Sequence, residues 1–140
     1  MIKPDGDKKK SKIVLVIEDE MDMRFYLMAM VRSLGFDAIL TQNGVKGLDV
    51  LLTLVPDLII LDVMMPEKNG YELCKIIKKK KILSEIPVIF LTAKIETEDL
   101  AEGFKAGGAD YITKPLNNEE LKIRVKNHLE LSLSRKKSWR

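Results

Sequence analysis

Four short apolar runs each end in a polar group that a buried strand would not ordinarily carry. Ile13–Ile17 runs into Glu18 and Asp19, and Leu58–Leu61 ends at Asp62. Val88–Leu91 runs into Thr92, and Ala109–Thr113 runs into Lys114 and Pro115. Runs that are apolar throughout, rather than alternating with polar residues, predict strands covered on both faces, as in a parallel sheet flanked by helices. Longer segments of helical periodicity separate them. Parallel strands place all four polar groups at one edge of one sheet.

The intervening elements follow from caps and breakers. Met21 to Leu34 reads as a helix with Phe25, Met28 or Ala29, and Arg32 on one face, ended by Gly35. Phe36–Leu40 reads as the second strand. Asn43 caps a helix running to about Leu54, and Pro56 stops it. Tyr71 to about Lys80 forms the next helix, with Lys78 to Lys81 near its C-terminal end, where they suit the helix dipole. Thr97 or Glu98 opens a helix that breaks at Gly107-Gly108. Asn117 or Asn118 caps a last one, which carries Leu121, Val125 and Leu129 on one face. The methionines at 21, 23, 28 and 30 read as core and helix-face packing.

Five βα units in strict alternation predict an α/β fold with a five-stranded parallel sheet of order 2-1-3-4-5 and helices on both faces. Residues 12–130 form the domain. Residues 1–11 read as a basic tail, and 131–140 as a tail or the start of a linker. In such a sheet the ligand site lies at the carboxyl ends of the strands where their order reverses, here between the first and third strands. Those strands end in Glu18-Asp19 and in Asp62.

Three carboxylates at one edge repel one another, and a hard divalent cation relieves this. Magnesium takes oxygen ligands and is commonly held by one or two carboxylates plus phosphate oxygens. Asp19 and Asp62 are the natural direct ligands. Glu18 would reach the ion through water, and the Met64 backbone carbonyl completes the protein's share. With Lys114 to pair a phosphoryl oxygen and Thr92 to donate a hydrogen bond to another, the set suits phosphoryl handling. Asp62 is then the nucleophile that forms an aspartyl phosphate.

Composition narrows the field without changing this picture. The chain of 140 residues is long enough for one cored domain and too short for two. Its net charge of +3 comes largely from lysine runs with no interleaved aromatics, which read as solvated ends and predict no direct nucleic-acid binding. A single cysteine, Cys74, excludes an intrachain disulfide and suits a reducing compartment. Neither a signal peptide nor an apolar run of spanning length is present, so no membrane insertion and a cytoplasmic location are expected. His128, the one histidine, lies late in the last helix, far from the strand ends, and is not expected to donate phosphate.

The acid pair Glu18-Asp19, Asp62 followed by Met65-Pro66 and Gly70, Thr92-Ala93, and Tyr111 shortly before Lys114-Pro115 agree in order and spacing with one family. Over residues 12–130 the chain resembles the receiver domain of two-component response regulators, which have a flavodoxin-like (βα)5 fold. The resemblance implies that Asp62 takes a phosphoryl group from a phosphohistidine on a sensor histidine kinase or phosphotransfer protein, with Mg²⁺ at Glu18, Asp19 and Asp62. It implies a cis Lys114–Pro115 bond. It implies a switch in which Thr92 moves toward the phosphoryl group and Tyr111 turns inward. The face built by the fourth helix, fifth strand and fifth helix then changes to control an output domain or protein. Asp110 and Arg124 lie on that face, where a homodimer salt bridge is possible, although Leu100 stands where a basic residue is usual.

Glu18 replaces the more usual aspartate. Met64 and Lys94 occupy variable positions near the path of hydrolytic water, and an apolar Met64 predicts a long-lived aspartyl phosphate. An aspartate-nucleophile phosphohydrolase would need a second aspartate at position 64. A flavin or nucleotide binder would need a phosphate cradle where Glu18-Asp19-Glu20 stands. A non-phosphorylated pseudo-receiver serving as a protein-binding module is the remaining alternative. The tail after residue 130 is too short for an output domain, so a stand-alone receiver and an excised segment both stay open.

Overall fold

The computed structural model describes residues 12–66, 69–93 and 97–138. Expectations for the 1–11 tail, Lys94, the Leu100 side chain and the side chains after residue 130 lie outside the described residues.

Strands β1 (Ile13–Ile17), β2 (Asp37–Thr41), β3 (Leu58–Asp62), β4 (Val88–Thr92) and β5 (Asp110–Thr113) alternate with helices α1 (Met21–Ser33), α2 (Gly44–Leu51), α3 (Gly70–Lys79), α4 (Thr97–Lys105) and α5 (Asn118–Ser138). A 3-10 turn, Lys81–Leu83, follows α3. The sheet is parallel throughout, in the order β2-β1-β3-β4-β5. This is the predicted fold.

The strands are apolar throughout because each feeds two cores. Successive side chains point to opposite faces. Leu15, Ile17, Ile59, Leu61, Val88 and Phe90 pack with Leu51 of α2 and with Leu73, Cys74 and Ile77 of α3. Val14, Val16, Leu58, Ile60, Ile89 and Leu91 pack on the other side with Leu27, Met30 and Val31 of α1 and with Leu121, Val125 and Leu129 of α5. Cys74 is buried and unoxidised, with its thiol pushed up to about 11 by burial.

Caps fall where the side chains allow them. Asn43 Oδ1 accepts the Lys46 N–H, and Asn117 Oδ1 accepts the Glu120 N–H. Gly35 takes a left-handed φ of 89° after α1, as its missing Cβ permits. Asp57 fixes the register of the two central strands. Its carboxylate accepts the Ile13 N–H at 2.9 Å, and its own N–H donates to the Ile13 carbonyl at 2.8 Å.

Two expectations need correction, and one residue gains a partner. The buried face of α1 is Leu27, Met30 and Val31, whereas Phe25 and Met21 are exposed. Apolar residues encircle the first turns of that helix, so its periodicity admits more than one face. Strand β2 begins one residue later than predicted, because Phe36 packs against the core from the preceding turn. His128 is half-buried, with Nε2 3.0 Å from Asp110 Oδ2.

Arg124 donates to the other Asp110 oxygen, so Asp110 and Arg124 pair within the chain. Burial alone would raise the Asp110 carboxyl. The hydrogen bonds from Arg124, His128 and the Tyr111 N–H outweigh it and hold the carboxyl below its usual range. A depressed carboxyl adds stability above its unfolded pKa, and that stability is lost as pH falls through the folded value. Asp110→Asn should therefore lower neutral-pH stability by about 1 kcal/mol, discounted for the half-exposed partner. Urea unfolding at pH 7 and at pH 3 should show the difference between the two proteins shrinking at the lower pH.

Candidate phosphorylation site at the carboxyl ends of the strands

The reversal of strand order between β1 and β3 leaves a crevice at their carboxyl ends, and the sequence sets its acids there. Glu18 leaves β1 fully buried, Asp62 closes β3 at 2% exposure, and Asp19 stands exposed between them and solvent. One carboxylate oxygen from each lies within 4.8 Å of the others. Lys114, just past β5, brings Nζ to 3.3 Å from Glu18 Oε1 and 3.5 Å from Asp62 Oδ2. Thr92 closes β4 at 3% exposure, and its carbonyl accepts the Lys114 N–H at 2.9 Å. The strand ends thus bring the three acids and Lys114 together, and Thr92 closes the neighbouring strand β4. The Lys114–Pro115 peptide is cis, as expected.

Backbone groups aim the carboxylates. The Glu20 N–H donates to Glu18 Oε2 at 3.0 Å, and the Met64 N–H donates to Asp62 Oδ1 at 3.1 Å. Asp62 Oδ2 is left facing Lys114. The turn after β3 closes tightly, with the Gly70 N–H donating to the Val63 carbonyl at 2.9 Å. A Cβ at Gly70 would lie 2.6 Å from the Asp62 carbonyl oxygen and 2.9 Å from Val63 Cα, both backbone atoms that cannot step aside. Glycine is therefore required there by close approach rather than by its φ.

Arg24 is a residue that the sequence reading missed. From the first turns of α1 its Nη1 donates to the carbonyls of both Glu18 and Asp19, each at 2.9 Å. It holds the β1–α1 turn so that both acids face the crevice. Tyr71 was also missed. Its hydroxyl lies 3.2 Å from that of Tyr111. Tyr111 is buried, with its ring 5.4 Å from Phe90 and 5.7 Å from Phe104. Gly103 makes room for it, since a Cβ there would meet the Tyr111 hydroxyl at 1.7 Å. The Tyr111 ring thus stands inward.

Burial pushes the Glu18 carboxyl up to about 7, against the pull of the Glu20 N–H and of Lys114. Burial likewise raises Asp62, opposed first by Lys114. Burial would lower Lys114, but Asp62 and Glu18 outweigh it and hold the ammonium firmly charged. Among the described residues, one lysine against three carboxylates leaves the crevice short of positive charge. A closely set, all-oxygen donor cluster without histidine or cysteine fits a hard divalent cation of the magnesium type.

A model of the response regulator receiver domain matches residues 14–126. The chain belongs to that family. It is 41% identical over 112 residues to the transcriptional regulatory protein RprY of Bacteroides fragilis, covering 80% of this chain and 47% of that protein. It is 35% identical over 116 residues to the DNA-binding response regulator MtrA of Mycolicibacterium paratuberculosis, covering 83% and 50%. The receiver therefore spans about half the length of these curated relatives. Among solved structures, a putative response regulator from Chloroflexus aurantiacus superimposes with a TM-score of 0.81 at 31% identity, covering 86% of this chain and 99% of that one. Among the described residues, no helix is long and apolar enough to cross a membrane.

The uncompensated charge has a measurable consequence. With Mg²⁺ removed by chelation, Asp62→Asn should raise stability by about 1–2 kcal/mol, because it removes one of the clustered negative charges. Thermal melts in EDTA should show the variant melting above the parent. Saturating Mg²⁺ should narrow or reverse the gap.

Proposed function

We propose that this receiver is a phosphorylation switch in which Asp62 accepts a phosphoryl group from a phosphohistidine on a sensor histidine kinase or phosphotransfer protein. The observation that carries the reading is the placement of the buried Asp62 carboxylate 3.5 Å from the Lys114 ammonium and beside Glu18 and Asp19. An Asp62 oxygen attacks phosphorus, the P–N bond breaks, and its electron pair stays on the donor imidazole nitrogen. Lys114 then pairs an oxygen of the new aspartyl phosphate, and the Thr92 hydroxyl donates to another. A Mg²⁺ ion held by Asp19, Asp62 and the Met64 carbonyl, with Glu18 reaching it through water, would neutralise charge on the phosphoryl oxygens.

The signal leaves through the strands. Thr92 lies two residues beyond Phe90 on β4, and Phe90 is in register with Tyr111 on β5. A hydroxyl drawn toward the phosphoryl group biases the Thr92–Tyr111 arrangement, and with it the α4-β5-α5 face. Homodimerisation through that face would require Asp110 and Arg124 to exchange their intrachain pairing for an intermolecular one. The likeness to regulators named as transcriptional and DNA-binding supports an output of that class, carried by a separate domain or protein. A cytoplasmic location accords with a kinase donor and a nucleic-acid target. The intact acid, hydroxyl and lysine set argues against the pseudo-receiver reading.

Incubation with phosphoramidate and Mg²⁺ should add one phosphoryl group by intact mass, and none to Asp62→Asn or in EDTA. Absence of labelling at donor levels that modify another receiver would support the binding-module reading instead. The Met64 side chain is 69% exposed at the mouth of the crevice. Met64→Asn, which offers a polar group to attacking water, should shorten the aspartyl phosphate lifetime several-fold in a decay assay. An unchanged lifetime would contradict a role for Met64 in retention.

A further inference from the structure

Helices α2 and α3 lie side by side on one face of the sheet but do not close against each other along their outer edges. On α2, Val45, Leu48, Asp49 and Leu52 fall at i, i+3, i+4 and i+7, with Leu52 at the helix cap. On α3, Leu73, Ile76, Ile77 and Lys80 do the same. The two stripes flank one groove. Its upper part, about 500 Å³, opens beside Asp19 and Met65, and its lower part, about 340 Å³, ends at Lys80 and Leu83. Val45 and Leu48 line both parts, so the groove is continuous over the eight residues of α2, about 12 Å of helix.

The groove is more apolar than a surface needs to be. Val45 is 68% exposed, Leu52 67%, and Ile82 beyond its lower end 71%. A patch of this kind marks an interaction site. Charge says what kind. Lys80 lines the lower end, its chain neighbours Lys79 and Lys81 are exposed, and no ion pair among the described residues uses any of the three. Asp49 is the acid that lines the lower part.

We propose that the α2–α3 groove docks an amphipathic helix of a partner protein, its apolar stripe between the two helices and its acidic residues over Lys79–Lys81. A second copy of this chain is disfavoured, because two concave grooves set face to face leave neither filled by a ridge of the other. A bilayer surface is disfavoured, because the groove is concave and takes inserted side chains rather than a plane. The site is distinct from the α4-β5-α5 face, and its upper end borders the acidic crevice at Asp19.

The test is an amide chemical-shift titration of the whole chain with synthetic helical peptides. Each carries leucine at i, i+3, i+4 and i+7 and glutamates at one end or the other. A matched set carries lysines in place of the glutamates. One acidic peptide should give saturable shifts centred on Val45, Leu52 and Ile76. Its affinity should fall by about tenfold in Lys80→Glu and with the lysine peptide, and be lost in Leu52→Glu. Both variants change exposed groups, and their melting temperatures and Asp62 phosphorylation should match the parent. No saturable shift at millimolar peptide, shifts centred elsewhere, or equal binding of the lysine peptide would overturn the proposal. So would binding to phosphatidylserine vesicles, or self-association through this face, in place of peptide binding.

Discussion

The structure turns on an imbalance of charge. Glu18 and Asp62 are held out of water by the sheet that ends at them, and Asp19 stands within 4.8 Å of both, with Lys114 the cation between the two buried acids. Burial makes the charged forms costly, and mutual repulsion adds to the cost. An ordinary hydrophobic core gains nothing from such a cluster. A closely set group of oxygen donors at the strand ends suits a site that takes further positive charge. The rest of the fold can be read as the frame that tolerates the deficit.

That frame is rigid for a simple reason. Every central strand gives alternate side chains to two separate cores, so a shift of one residue would exchange the two sets and misfit both cores. Backbone bonds then convert this rigidity into aim. The Glu20 and Met64 N–H groups orient the two buried carboxylates, Arg24 holds the carbonyls of the turn between β1 and α1, and Gly70 lets α3 start against the Asp62 backbone. On the far side, Phe90 on β4 and Tyr111 on β5 are in register and in ring contact. A change at Thr92 therefore has a short packed path to the α4-β5-α5 face.

Much of this was legible before any coordinates. Apolar runs ending in Glu18-Asp19, Asp62, Thr92 and Lys114 announced buried parallel strands whose ends converge, and the strand order followed from the alternation of elements. What escaped were roles that depend on backbone atoms brought near by folding. Arg24 looks like any charged residue on a surface helix until its guanidinium is seen between two carbonyls. Tyr71 looks like core until its hydroxyl meets that of Tyr111. The buried face of α1 was misread because Met21, Met23, Phe25, Tyr26 and Leu27 ring its first turns and blur the period. The intrachain pairing of Asp110 with Arg124 was invisible because residues fourteen apart meet only when α5 packs back beside β5.

The most direct test of the central claim is a calorimetric titration of the metal-free protein with Mg²⁺, repeated on Asp62→Asn and on Lys114→Met. If the crevice is short of positive charge, the parent should bind one ion per chain. Asp62→Asn should bind it more weakly, having lost a ligand. Lys114→Met should bind it at least as tightly, because the competing cation is gone. Failure of the parent to bind, or affinities that ignore both substitutions, would contradict the account.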